Sequence, residues 1–223
     1  MVYRRTEKVV RRLAQRHAAI IDAARATAAE SGMGAVQIAP VAARAGIAAG
    51  TVYRYFPSKT ELVAAVVAAV SERELEAVRR AADAAPGPLS ALAAAIATLA
   101  GRALSRRRLA WAVIAEPVDA EIDSVRLVYR KALAAEIEAR LAAASRAGHL
   151  PEQDINIAAP ALVGALLEGL VGPLAPDASN PGRGRDAVQA LTLLALRAVG
   201  IPDAHARGLV VQTALPTPEE AAV

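Results

Sequence analysis

The chain has 223 residues, a formal net charge of +4 and no cysteine. The length allows one small module joined to a larger one, and the lack of cysteine excludes disulfides, thiolate metal sites and a cysteine nucleophile. Hydrophobic residues make up 55% of the chain but aromatic residues only 3%, so the core consists mainly of alanine and aliphatic side chains. Because alanine is the best helix former and adds little to a pleated surface, this composition predicts an all-α fold.

Positive charge is concentrated towards the N-terminus. Residues 1–60 contain ten Lys/Arg and three Asp/Glu, a net charge of +7, whereas the remaining residues contain sixteen and nineteen, a net charge of −3. A basic module beside a nearly neutral one is typical of a protein that contacts nucleic-acid phosphates. A solvated basic tail gives the same count, so charge alone leaves that alternative open.

The sequence predicts neither export nor membrane insertion. Charge begins at Arg4, and no apolar stretch follows that resembles a signal peptide. The longest uncharged run, 84–101, is interrupted by prolines and is apolar only from about Leu89, which leaves it shorter than the roughly 20 residues of a membrane span. We therefore expect a cytoplasmic protein without a membrane partner.

Three helices are predicted in the N-terminal part of the chain. Residues 1–16 form a basic arm, which either is mobile or extends the first helix, and apolar residues recur at helical spacing over His17–Ser31. Two short helices follow at Ile38–Ala45 and Ala49–Tyr55, and Gly46 permits the tight turn between them. Two short helices joined by a glycine turn form a helix-turn-helix pattern.

Six longer elements are predicted beyond this unit. Ser58 and Glu61 have capping-box spacing, so a helix begins there and runs to about Ala82. Apolar periodicity predicts the others at Leu89–Leu104, Arg107–Ala115, Asp119 or Glu121 to Ala147, Ile155–Leu170 and Arg185–Val199. Arg106, Arg107 and Arg108 are interpreted as a solvated helix start, and contact with an anionic ligand or DNA is the alternative. The tail, 203–223, is predicted to be weakly ordered.

The segment Gln37–Leu62 carries the functional pattern. Its apolar residues supply a small core that fixes the angle between the two short helices. The second helix then exposes Gly50, Thr51 and Arg54, and its small leading residues allow close approach to the floor of a major groove. Arginine can pair with guanine, and the threonine methyl can touch thymine. Tyr53 or Tyr55 on the second helix suits phosphate oxygens, and so does Lys59 at the amide-rich start of the next helix.

The same segment closely resembles the N-terminal signature of the tetracycline-repressor (TetR) family of one-component bacterial regulators. The matching residues are Val41, Ala42, Ala45, Gly46, Ile47, Gly50, Thr51, Val52, Tyr53, Tyr55, Phe56, Ser58, Lys59, Glu61 and Leu62. With the first helix, the resemblance covers about residues 15–65. Three positions depart from the family pattern. Gln37 and Ala48 stand where hydroxyl caps are usual, and Pro40 stands where a charged residue is common; a lost cap costs typically about 1 kcal/mol.

The resemblance implies a DNA-binding domain at 17–62, which continues into a linking helix at 58–82, and a larger helical regulatory and dimerisation domain at 63–202. It implies a homodimer that binds a palindromic operator on double-stranded DNA, usually as a repressor, and that is released by a small-molecule effector. The predicted DNA-binding residues are Gln37, Arg44, Ala49, Gly50, Thr51, Tyr53, Arg54, Tyr55 and Lys59.

Predictions for the C-terminal part are coarser. The low aromatic content favours an apolar effector, and the predicted pocket residues are Trp111, Glu116, Arg126, Tyr129 and Glu168. The last two helices are expected to pair with a partner's as a four-helix bundle, and the predicted interface residues are Leu162, Ala165, Leu166, Leu170, Leu191 and Leu194. The alternative is that these helices are buried within their own domain.

Other classes of function lack support in the sequence. The acidic cluster between Glu116 and Asp123 is explained by acids near a helix start, and with no histidine close by we expect no metal and no cofactor. No nucleophile with a base and no phosphate-binding glycine loop is present, so we expect no enzyme. A regulator that binds DNA or a protein partner without any effector remains the alternative function.

Overall fold

The computed structural model describes residues 7–172, 175 and 181–215, and these residues form helices without a strand. The α-helices of this described part are α1 (Glu7–Ser31), α2 (Ile38–Arg44), α3 (Ala49–Tyr53), α4 (Lys59–Asp83), α5 (Pro88–Ser105), α6 (Arg107–Ile114), α7 (Ala120–Arg146), α8 (Ile155–Val171), α9 (Pro181–Ala198) and α10 (Asp203–Gln212). A 3-10 turn lies at Met33–Ala35. The prediction of an all-α fold is confirmed.

Glycines end the helices of the N-terminal domain. Gly32 follows α1 with a φ of +85°, and Gly46 follows α2 with a φ of +66°, both in the left-handed region that favours glycine. At Gly46 the amide of Ile47 donates to the carbonyl of Ala42 over 3.0 Å, which closes a Schellman-type end. The turn predicted between the two short helices is therefore present, and α3 follows it directly.

The start of α4 shows one half of the predicted capping box. The backbone N–H of Glu61 donates to Ser58 Oγ over 3.0 Å. The carboxylate of Glu61 does not return to the backbone of Ser58; it lies 3.5 Å from the serine hydroxyl, which donates to it. The serine alone therefore satisfies the amide that the helix start leaves free.

The larger domain is built around α5. Leu92 and Ile96 of this helix are fully buried, and α4, α7, α8, α9 and α10 all pack around it. By length and composition alone, α5 is the one described helix that could cross a membrane, but 67% of it is buried within the fold. Its apolar character thus matches its place in the core.

Both ends of the described chain are more helical than expected. Helix α1 begins at Glu7, so residues 7–16 are helix and only 1–6 of the predicted arm lie outside the described residues. Side chains from Val9 to Ala19 are almost all exposed, so this stretch is held by helix-forming residues rather than by packing.

The tail prediction is wrong for residues 203–212, which form α10. Ala206, Leu209 and Val210 recur at helical spacing and are buried against the core. Asp203 accepts hydrogen bonds from Arg197 and Arg207, and these bonds lower the pKa of its carboxyl. Residues 216–223 of the predicted tail lie outside the described residues.

Helix α6 is shared between the two domains. Leu109, Ala112 and Val113 are buried in the same apolar cluster as α1 to α3 and the first half of α4. Ala110 and Ile114, on another face of α6, pack against the core of the larger domain. The helix-turn-helix unit therefore takes part of its hydrophobic core from α6, which also packs against the larger domain.

A polar joint reinforces this shared helix. Glu116, just beyond α6, accepts hydrogen bonds from the amide of Met33 at Oε2 over 2.8 Å and from the amide of Gly34 at Oε1 over 3.1 Å. A Cβ added at Gly32 would lie 3.0 Å from both carboxylate oxygens. The turn after α1 is thus a backbone nest that holds one carboxylate.

Arg126 of α7 fixes the other side of the joint. This buried guanidinium donates to the carbonyls of Ala112, Val113 and Glu116 over 3.0, 2.8 and 2.7 Å. These carbonyls include ones that the end of a helix leaves free, so one arginine closes α6 and holds α7 against it.

We predict that Glu116→Gln lowers the free energy of unfolding by about 1–2 kcal/mol, because hydrogen bonds to a charged acceptor contribute about that much and the amide offers one acceptor oxygen instead of two. Denaturant unfolding with a linear fit measures the change. Glu138→Gln, at an exposed position of α7, is the matched control. Equal losses in the two variants would contradict a role for the joint in stability.

Candidate DNA-binding and effector sites

The helix-turn-helix presents one face of α3 to solvent. Val52 is fully buried beneath it, and Phe56, just beyond α3, is 4% exposed. Tyr53 and Arg54 point outward, and the side chain of Tyr53 is 53% exposed. The small apolar core beneath α2 and α3 therefore fixes the orientation of an outward-facing helix.

Most predicted DNA-binding residues lie on this outer surface. Exposed are Gln37, Gly50, Tyr53, Arg54 and Lys59, and partly exposed are Ala49, Thr51 and Tyr55. Tyr55 also packs inward, with its ring centroid 6.2 Å from that of His17. Its ring therefore supports α1 as well as facing outward.

Arg44 lies in a different environment from the others. Its guanidinium forms a short ion pair with Glu30 and donates to Thr27 Oγ1 over 3.3 Å. The hydrogen bond from Arg44 lowers the pKa of the Glu30 carboxyl. Arg44 thus holds α2 to α1, and a role in DNA binding would require this exposed pair to rearrange.

The departures from the family signature leave the starts of α2 and α3 without side-chain caps. Gln37 donates to the carbonyl of Gly34 over 3.1 Å instead of accepting from the helix, and Ala48 has no side chain that can accept. The first amides of both short helices therefore lack a side-chain acceptor.

Gly50 has no intramolecular reason to be glycine. A Cβ built at this position meets no atom within 4 Å, and its φ is not positive. Alanine would be the better helix former here. Packing within the described chain therefore does not account for the lack of a side chain at this position.

A small cavity lies among α4, α5, α6 and α7. Its volume is about 30 Å³, roughly the space of one water molecule. Its apolar walls include Leu99, Leu109 and Val113, and its polar lining residues are Ser71, Glu74, Arg102, Arg106 and Tyr129. Burial raises the pKa of the Tyr129 hydroxyl, so this side chain stays neutral.

Two polar groups of this cavity form a buried ion pair. Arg102 Nε donates to one carboxylate oxygen of Glu74 over 2.6 Å, and Nη2 donates to the other over 3.0 Å. Ser71 Oγ is buried and has no hydrogen-bond partner. The sequence did not predict Ser71, Glu74 or Arg102 as cavity residues. For Glu74, nothing in the charged run Glu72–Glu76 distinguishes this inward-facing acid from its solvated neighbours.

The structure brings only one predicted pocket residue into this cavity, which is Tyr129. Trp111 does not line it, and Glu116 and Arg126 belong to the joint between α6 and α7. Glu168 lies on a separate open groove of about 410 Å³ between α7 and α8. These four residues therefore do not line this cavity, and their assignment to an effector pocket stays a prediction.

Half of the predicted dimer-interface residues are interior. Leu162, Leu166 and Leu170 are 6%, 2% and 0% exposed and pack in their own domain, so they are not surface residues of the single chain. Helix α8 is apolar all round, and such a pattern cannot say which face is inward.

The remaining predicted residues lie at a surface of α8 and α9. Leu194 is 60% exposed, Ala165 is exposed and Leu191 is half-buried, and Ile157 of α8 is 68% exposed. Gly164 has open space around a built Cβ. These small and aliphatic residues are the predicted interface residues that are not interior and that could contact a partner.

Among the described residues, no group of three or more histidine and acidic side chains could hold a metal ion.

Comparisons with known proteins identify the N-terminal segment. The sequence model "Bacterial regulatory proteins, tetR family" matches residues 20–66. The HTH-type transcriptional repressor KstR of Rhodococcus jostii is 48% identical over 59 residues, which are 26% of this chain and 28% of that protein. KstR of Mycobacterium tuberculosis is 51% identical over 49 residues, 22% of each chain. The matched segment therefore spans about a quarter of these relatives.

Solved structures extend the likeness in fold to most of the chain. RolR in complex with resorcinol has a TM-score of 0.67 at 24% identity, over 93% of this chain and 98% of that one. FadR of Bacillus subtilis in complex with stearoyl-CoA has a TM-score of 0.68 at 22% identity, over 82% and 97%. Residues 20–66 thus match the tetR family of bacterial regulatory proteins, and at these identities the likeness of the whole chain to RolR and FadR is one of fold.

Proposed function

We propose that the protein is a cytoplasmic, one-component transcription regulator, a repressor that binds a palindromic operator as a homodimer and is released by a small hydrophobic effector. The observation that carries the proposal is the outward-facing α3. On this helix Gly50 is exposed, and no contact within the described chain requires glycine there. The match of residues 20–66 to the tetR family model supports DNA binding through this helix. Close approach to a groove accounts for the glycine.

The domain assignment follows from the two apolar clusters. We assign DNA binding to 17–62, with α4 as the linking helix, and effector binding and dimerisation to 63–202. The cluster around α1 to α3 and the cluster around α5 support this division. Since α6 contributes to both, movement of α6 relative to α5 is the means by which an effector changes the spacing of the two reading helices.

A regulator without an effector is the second candidate. The observation that favours it is the cavity volume of about 30 Å³, far below the roughly 300 Å³ or more of ordinary ligand pockets. An effector that binds in this cavity must therefore open it, and its binding free energy is reduced by the cost of that opening.

We predict that Gly50→Ala leaves the free energy of unfolding unchanged or raises it by up to about 1 kcal/mol, because alanine fits the open space and favours helix. DNA affinity should fall at least tenfold, because the methyl group meets the groove. Unfolding curves and fluorescence anisotropy with an operator selected from random-sequence DNA measure the two effects. Gly208→Ala in α10, also in open space, is the control, and equal DNA affinities for both variants would refute the placement of α3.

We predict two kinds of loss at the reading surface. Tyr53→Phe and Lys59→Ala should weaken binding to all sequences alike and, for Lys59, reduce the slope of affinity against salt by about one. Thr51→Ala and Arg54→Ala should change the preference at particular base pairs, by about 1–3 kcal/mol each. Affinities for a set of single-base operator variants separate the two patterns. If all four merely lower thermal stability, the assigned roles are wrong.

We predict that Leu194→Arg converts the homodimer to monomer, because a charge would be placed on the apolar surface of α8 and α9. Sedimentation equilibrium should show the dimer dissociation constant rising at least tenfold. Val211→Arg is the matched control, since Val211 is 80% exposed on α10. An unchanged mass for Leu194→Arg at micromolar concentration would place the dimer interface elsewhere.

A further inference from the structure

We infer that the effector is an amphipathic organic anion, with its anionic head held by an arginine cluster at the junction of the two domains and its apolar body in the cavity among α4, α5, α6 and α7. This inference rests on the proposed function and specifies the ligand class. We define the arginine cluster as Arg25 of α1 and Arg73 of α4, which share Asp22, together with Arg102 and Arg106 at the end of α5, which line the cavity.

One carboxylate of the cluster is shared by two arginines. Arg73 Nη2 lies 3.3 Å and Arg25 Nε 3.7 Å from the same oxygen of Asp22. Because arginine remains protonated in proteins, this group keeps a net positive charge within the part of the chain that the structure describes. Glu74 binds Arg102 through both carboxylate oxygens.

Two of these guanidinium groups have donors to spare. Arg25 Nε is buried and makes no hydrogen bond. The part of the chain that the structure describes gives the side chain of Arg106 neither a hydrogen bond nor an ion pair. Burial and the repulsion of Arg25, Arg102 and Arg73 lower the pKa of Arg106. The side chain of Arg106 is half-buried, so the expected solvated helix start is only partly solvated. The buried Nε of Arg25 is a donor that is costly to leave unpaired, and a bound anion would satisfy it.

The cavity next to the cluster supplies the second half of the site. Arg106 lines it together with Leu99, Leu109 and Ile114, so an anion at Arg106 would lie beside an aliphatic wall. The buried hydroxyl of Ser71 lines the same space without a partner and offers a hydrogen bond to a polar atom of the ligand. A charged head beside an apolar wall fits an amphiphile rather than a purely apolar molecule.

The position of the cluster connects binding to DNA release. Arg25 belongs to α1 of the DNA-binding domain, whereas Arg106 lies where α5 meets α6. An anion between them would fix α1 relative to this junction, while its apolar body opened the cavity against α6. Both effects favour one arrangement of the domains over the other, and such differential affinity is what release from an operator requires.

Octanoate tests the inference on the full-length dimer, with 1-octanol and octylammonium as probes of the same length without negative charge and octyl phosphate as a second anion. Trp111 fluorescence and thermal shift measure binding, and anisotropy measures DNA release. We expect octanoate or octyl phosphate to bind at least tenfold more tightly than octanol, and the tighter of the two identifies the head group. From butyrate to octanoate each methylene should strengthen binding by about fourfold.

The variant Arg106→Gln should lose the preference for octanoate over octanol, whereas Arg108→Gln, on an exposed side chain of α6, should keep it. Equal affinity of octanol and octanoate in the unmodified protein, or equal effects of the two variants, would overturn the inference. The first of these results does not depend on whether Arg106→Gln folds well. DNA binding without any probe is measured separately: its absence refutes the proposed function, while normal DNA binding that no anion affects refutes the effector class alone.

Discussion

The membership of α6 in two hydrophobic cores is the constraint on which the rest of the molecule depends. Leu109 and Val113 complete the core of the helix-turn-helix unit, and Ile114 packs against the larger domain. A helix of eight residues is marginal alone, so its position is set by these two surfaces. Neither domain can shift far without either moving α6 or exposing apolar surface.

The polar joint makes the two ends of α6 different. Glu116 and Arg126 attach the end of α6 to the turn after α1 and to α7 through short hydrogen bonds, whereas the start of α6 lies at the kink next to Arg106 and the cavity. The helix is held firmly at one end and meets the proposed effector at the other. A switch needs only a few kcal/mol of differential affinity, which is the scale of the contacts involved.

The sequence predicted local features well and long-range ones poorly. The turn at Gly46 and the cap at Ser58 could be predicted because their partners lie within five residues. The role of Glu116 could not, since its partners are 82 and 83 positions away and an acid ahead of a helix already had a local explanation. Helix α8 was placed correctly along the chain, but a helix apolar on every face does not reveal which leucines are interior.

Substitutions at Gly32 and at Glu116 should behave differently in a genetic selection. Position 32 needs glycine twice over, for its positive φ and because a Cβ would press on the carboxylate of Glu116, so nearly every replacement damages the turn itself and removes the protein. Glu116 contributes only its two acceptors and tolerates replacement sterically. Selections for regulators that stay folded but no longer respond normally should therefore recover changes at 116 and leave 32 untouched, although the two residues form the same contact.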